Sequence, residues 1–122
     1  MTRILYVDDE ADIREVAAMA LELEPSFEVR TASSGPEAIE VAAYWSPEVV
    51  LLDVMMPGMD GPTTFGSLRE LPQLGATPII FITARTQAHD VEALLKLGAA
   101  GVIAKPFDAM NLAHEVREIF VR

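Results

Sequence analysis

The strongest constraint on this chain is a regular alternation. Five short apolar runs are separated by segments whose apolar residues recur every three or four positions. The runs are Ile4–Val7, Phe27–Ala32, Val49–Leu52, Ile79–Ile82 and Gly101–Ala104. Most are β-branched or aliphatic at successive positions, which suits strands covered on both sides of a sheet. Between them, Ile13, Val16, Ala17, Ala20 and Leu21 mark a first amphipathic helix, and Ala38, Ile39, Ala42 and Ala43 a second. A third is expected at about residues 61–71, weakened by Pro62, Thr63, Thr64 and Gly66. Val91, Leu94 and Leu95 mark the fourth, and Leu112, Val116, Ile119 and Phe120 the fifth.

Punctuation agrees with these limits. Pro25 follows the first helix, Ser34-Gly35-Pro36 opens the second, Ser46-Pro47 closes it, and Gly98 ends the fourth. Strict βα alternation implies a parallel sheet with right-handed crossovers and helices on both faces. Such sheets bind ligands at the carboxyl ends of their strands, near the point where strand order reverses.

Length and charge narrow the function. A chain of 122 residues fits one domain, with no room for a second folded output domain. Nineteen acidic against nine basic residues give a formal charge of −10, which repels nucleic-acid phosphates and anionic headgroups. Direct nucleic-acid binding and membrane insertion are therefore not expected. The absence of Cys removes disulfides and thiolate metal sites. No signal-like apolar segment opens the chain and no 18-residue apolar run occurs, so a cytoplasmic location is expected.

The residues at the expected strand ends carry chemistry. Asp8 and Asp9 follow the first run, Asp53 the third, Thr83 the fourth and Lys105 the fifth. Converging carboxylates repel one another unless a cation enters, and oxygen donors suit a hard divalent ion such as Mg²⁺. A carboxylate can act as nucleophile and form an acyl phosphate. Phosphoryl transfer needs positioning and charge neutralisation above all. Lys105 can supply the charge and Thr83 a hydroxyl donor.

Four segments in this order resemble the response-regulator receiver domain: ILYVDDE at 4–10, VVLLDVMMPGMDG at 49–61, PIIFITA at 78–84 and GAAGVIAKPF at 98–107. The resemblance spans the whole chain as a single receiver domain, residues 1–122. It implies the flavodoxin-like (βα)5 fold with strand order 2-1-3-4-5. It makes Asp53 the phosphoacceptor, served by a sensor histidine kinase or a histidine phosphotransfer protein. Asp9 and the backbone carbonyl of Met55 would bind Mg²⁺ directly beside Asp53, with Asp8 acting mainly through water and Mn²⁺ as the alternative ion. Lys105 would hold the phosphoryl group, and the Lys105–Pro106 bond would be cis. Thr83 would be the switch residue, altering an output surface on helix four, strand five and helix five that meets a downstream protein. The resemblance implies no conventional enzyme, only catalysis of the domain's own phosphorylation and dephosphorylation. A monomer or a weak phosphorylation-dependent dimer is expected.

One position departs from the family's habit, and two others vary within it. Val102 stands where many members have an aromatic ring that moves with the threonine, so rearrangement of residues 83–90 is the expected substitute. Met55 and Arg85 occupy positions that tune water access to the acyl phosphate, and their bulk predicts slow self-dephosphorylation. The rival readings are an aspartyl-phosphate phosphatase or phosphotransferase, a nucleotide or flavin carrier, and the amino-terminal receiver of a longer regulator or hybrid kinase. The first lacks an acid at Met55, and the second lacks any glycine-rich phosphate loop. The chain's limits favour a stand-alone receiver over the third. His89 and His114 lack partners at metal-ligand spacing, and Tyr44 and Trp45 read as packing or surface residues.

Overall fold

Each apolar run becomes a strand and each periodic segment a helix. The computed structural model describes residues 1–120. The last two residues of the expected domain, 121 and 122, lie outside the described ones. The strands are β1 (Thr2–Val7), β2 (Phe27–Ala32), β3 (Val49–Asp53), β4 (Ile79–Thr83) and β5 (Gly101–Ala104). The helices are α1 (Ala11–Leu21), α2 (Gly35–Trp45), α3 (Gly61–Arg69), α4 (Ala88–Leu97) and α5 (Leu112–Phe120). All pairings are parallel and the order is β2-β1-β3-β4-β5, the flavodoxin-like arrangement expected. Strand order reverses between β1 and β3, whose carboxyl ends carry Asp8 and Asp53.

Strand alternation divides the core in two. Leu5, Val7, Val50, Leu52, Ile79 and Phe81 pack on one face with Ala38 and Ala42 of α2, Phe65 and Leu68 of α3 and Leu94 of α4. Ile4, Tyr6, Val49, Leu51, Ile80, Ile82 and Ile103 pack on the other with α1 and α5. Side chains two apart share a face, so each strand feeds both layers. Burying a large apolar side chain contributes about 1.5–3 kcal/mol, so these layers dominate stability.

Local chemistry sets the helix ends. Ser34 Oγ accepts the Glu37 N–H at 3.2 Å, capping α2 just before Pro36. Asp60 Oδ1 accepts the Thr63 N–H at 2.9 Å, and a cap of this kind is worth about 1 kcal/mol. That cap, with buried Phe65 and Leu68, explains why α3 forms despite weak propensity. The helix stops at Arg69, two residues before the expected limit. Pro72 disfavours helical backbone at Leu71, and a 3-10 turn at Pro72–Leu74 follows. Gly98 ends α4 in the left-handed region at φ 111°, where a side chain would be strained.

Two expectations about burial need correction. Val16, Ala43 and Leu95 are exposed, because α1, α2 and α4 each meet the sheet along a stripe narrower than their apolar pattern. The edge strand β2 exposes Glu28, Arg30 and Thr31, having a partner on one side only.

Candidate functional site

The strand ladder brings the charged residues together. Asp53 is the last residue of β3, paired in register with Ile82, and Thr83 is the last of β4, paired with Ala104. Both strands are one residue longer than their apolar runs, so these polar residues are built into the sheet edge. Leu51 and Asp53 share one parity, as do Tyr6 and Asp8, and Ile103 and Lys105. Tyr6, Leu51 and Ile103 all lie on the face covered by α1 and α5. Thr83 has the parity of Ile79 and Phe81, on the opposite face.

The carboxylates are tightly held. Lys105 Nζ donates to Asp8 Oδ2 at 2.9 Å and to Asp53 Oδ2 at 3.2 Å, and lies 3.6 Å from Glu10 Oε1. Asp8 is fully buried; its Oδ1 accepts the Glu10 N–H at 3.0 Å and its Oδ2 accepts the Tyr6 hydroxyl at 3.1 Å. The Arg14 guanidinium donates to the Asp8 carbonyl at 2.8 Å. The Lys105–Pro106 peptide is cis.

Burial, followed by the charge of Asp8, pushes the Asp53 carboxyl above its ordinary value, against the opposing pull of Lys105 and the Met55 N–H. Burial alone would lower Lys105, but its hydrogen bond to Asp8 and the charges of Asp53 and Asp8 outweigh that and raise it. One ammonium thus faces a larger negative charge.

Asp8, Asp9 and Asp53 each offer a carboxylate oxygen, and these atoms lie within 4.8 Å of one another. All are hard oxygen donors at the mouth of the sheet, with Asp9 exposed to solvent. The set fits a Mg²⁺-like ion, which keeps water ligands. Exposed acidic groups need not hold a metal, but here two of the three are buried, where uncompensated charge is costly.

Among the described residues, the side chains of Thr83, Met55, Arg85 and Val102 make no hydrogen bond to this cluster. Thr83 is buried, and its Oγ1 accepts the Arg85 N–H at 3.0 Å. Among the described residues it has no hydrogen bond to Asp53. Met55 is 64% exposed and Arg85 is exposed; neither side chain bonds to Asp53. Val102 packs partly against the core on the α4 side of the sheet.

Four residues escaped the sequence reading. Glu10 and Arg14 extend the polar network, and their signal was proximity to Asp8 and Asp9 at the start of α1. Tyr6 lay hidden in an apolar run, though its position two residues before Asp8 places both on one side of the strand. Gly61 packs against the backbone of β3: an added Cβ would stand 2.5 Å from the Asp53 carbonyl oxygen, and its N–H already donates to Val54 O at 2.9 Å.

Known proteins agree with this architecture. The family model described as response regulator receiver domain matches residues 4–117. The chain belongs to that family, whose members signal in two-component systems. The response regulator PleD of Caulobacter vibrioides is 42% identical over 118 residues, which make up 96% of this chain and 26% of that protein. A probable transcriptional regulator, ycf27, of Pyropia yezoensis is 39% identical over 120 residues, 98% of this chain and 48% of that protein. The chain therefore spans between about a quarter and about half the length of these relatives. Among solved structures, chemotaxis protein CheY4 of Vibrio cholerae superposes with a TM-score of 0.90 at 31% identity, covering 98% of both chains.

Proposed function

We propose that this domain is a phosphorylation-operated switch in which Asp53 accepts a phosphoryl group from a phosphohistidine on a sensor kinase or phosphotransfer protein. The observation that carries this reading is the placement of Asp53. It is a 4% exposed carboxylate at a strand end, bonded to Lys105 and flanked by Asp8 and Asp9.

An Asp53 oxygen attacks phosphorus in line with the departing imidazole nitrogen. The O–P bond forms as the P–N bond breaks, and the imidazole takes a proton from solvent. Lys105 needs only a small movement from Asp53 Oδ2 to a phosphoryl oxygen, so its charge is in place before reaction. The Asp8, Asp9 and Asp53 carboxylates and the Met55 carbonyl would hold Mg²⁺, or Mn²⁺ in its place. When bound, the ion supplies the positive charge that lets an anionic donor approach three carboxylates.

In this reading the domain is no conventional enzyme: it catalyses only its own modification and the later hydrolysis of the acyl phosphate. Among the described residues no helix is long and apolar enough to cross a membrane, which accords with a cytoplasmic switch. Phosphorylation would draw Thr83 from its local bond to Arg85 and alter the surface of α4, β5 and α5 that a downstream protein reads.

Incubation with Mg²⁺ and phosphoramidate, a small P–N donor, followed by intact mass spectrometry tests the assignment. The mass should rise by one phosphoryl group in the wild type and not in Asp53→Asn. No gain in the wild type, or an undiminished gain in the variant, would sink it.

A further inference from the structure

Tyr6 contributes a hydroxyl to the site that the phosphoryl-transfer reading does not use. Its side chain is wholly buried between β1 and the α1–α5 layer. The Phe107 ring meets it edge-on, with centroids 6.5 Å apart and planes at 74°. Among the described residues the hydroxyl's one hydrogen bond is to Asp8 Oδ2, at 3.1 Å. Lys105, by contrast, is shared among Asp8, Asp53 and Glu10 and can be redistributed. Burial, with the charge of Asp8 adding to it, pushes the phenol far above its ordinary pKa, so it stays a donor.

We propose that Tyr6, through its hydrogen bond to Asp8, keeps divalent-cation binding at the acidic site weak and reversible. The inference rests on the reading of Asp8, Asp9 and Asp53 as a cation site. A phenol O–H and a cation draw on the same carboxylate electron density. The hydrogen bond is therefore strongest when no cation is present. Whatever stabilises the cation-free state more than the bound state lowers affinity, and the coupling is reciprocal. Lys105 can turn away when a cation arrives. Tyr6, locked in the core, cannot.

Tyr6→Phe removes the hydroxyl and keeps the ring. Mg²⁺ titration by calorimetry, without any phosphodonor, should show binding about fivefold tighter than in the wild type, since hydrogen bonds to charged groups are strong enough for a modest fraction of one to shift affinity this far. The cation-free variant should also melt at a lower temperature. A lower melting temperature with unchanged Mg²⁺ affinity would reduce Tyr6 to packing, and weaker binding would reduce it to orienting Asp8; either overturns the proposal. If Mg²⁺ binds neither protein, the cation-site reading fails and the inference with it.

A second measurement needs no variant. The Tyr6 Cζ chemical shift in the wild type should move with the same Mg²⁺ dependence as the calorimetric signal, reporting a weakened hydrogen bond. An unmoved resonance during saturation would overturn the proposal even if Tyr6→Phe fails to fold.

Discussion

The carboxyl edge of the sheet has two unlike sides. On the α1–α5 side, Tyr6, Asp8, Asp53 and Lys105 form a buried network in which every carboxylate oxygen of Asp8 has a partner. On the other side, Thr83 caps its own loop through the Arg85 N–H, and residues 84–89 are all exposed. The first side links Asp8, Asp53 and Glu10 through one lysine, while on the second the chain beyond Thr83 carries no buried side chain through residue 89. The contrast fits a division of labour in the proposed switch: rigid chemistry on one face and a compliant readout on the other. Segments with few buried contacts are the ones that move at low cost.

The largest expected effect comes from breaking the rigid side. Lys105→Met leaves Asp8 and Asp53 facing each other without a cation. Its cost should be roughly 2–3 kcal/mol, below the full penalty for a buried pair because the lysine keeps some contact with water. The Lys105 pKa is raised on folding, so its stabilisation is fully present below the ordinary value of 10.5 and is lost as pH rises through the folded value. Denaturant melts near neutral pH should therefore show the whole loss. Millimolar Mg²⁺ should restore part of it, and no restoration would argue that the carboxylates do not share a cation.

A smaller effect of opposite sign is expected from Asp53→Asn. Burial and the Asp8 charge raise the Asp53 pKa on folding, so its contribution favours the fold below the ordinary carboxylate value of 3.8 and is lost as pH rises through the folded value. The variant should melt higher than the wild type at neutral pH, and the gap should close in acid. A gap independent of pH would point to a change in packing.

The compliant side should respond weakly in stability and clearly in dynamics. Thr83→Ala removes one local hydrogen bond and should cost about 1 kcal/mol. Phosphorylation of Asp53 should persist, while the change in relaxation dispersion across residues 83–90 on phosphorylation should disappear. A response retained in that segment would place the coupling elsewhere.

The smallest structural disturbance is Met55→Asn, at a largely exposed side chain. Stability should change by less than about 0.5 kcal/mol, as for most surface substitutions. The half-life of the acyl phosphate should nevertheless shorten severalfold as water gains access. An unchanged half-life would show that Met55 does not screen the site. In the resting structure the side chain is exposed, so any screening must arise in the phosphorylated form.

Much of this was legible in the residues. The alternation of Ile4–Val7, Val49–Leu52 and Ile79–Ile82 with periodic helices implied a parallel sheet, because doubly covered strands must be apolar at every position. Asp8, Asp9, Asp53, Thr83 and Lys105 stood out because polar groups interrupt such runs only where the strands leave the core. Less visible was the early end of α3 at Arg69, a boundary set by Pro72 and the carbonyls of Leu74 and Thr77 that Arg69 holds at 2.8 and 2.6 Å. Val16 and Leu95 misled because an apolar side chain at helical spacing is exposed whenever the contact stripe is narrow.

By itself, the sequence determined the layered architecture and the cast of residues at the sheet edge, since periodicity and strand-end chemistry are local properties of the chain. Tertiary structure decided the pairings. Which oxygen of Asp8 meets Lys105, and that Tyr6 reaches it too, depends on side chains from β1, β3 and β5 meeting at one sheet edge. Strand register and parity set that meeting, and they put Thr83 on the other side of the same sheet.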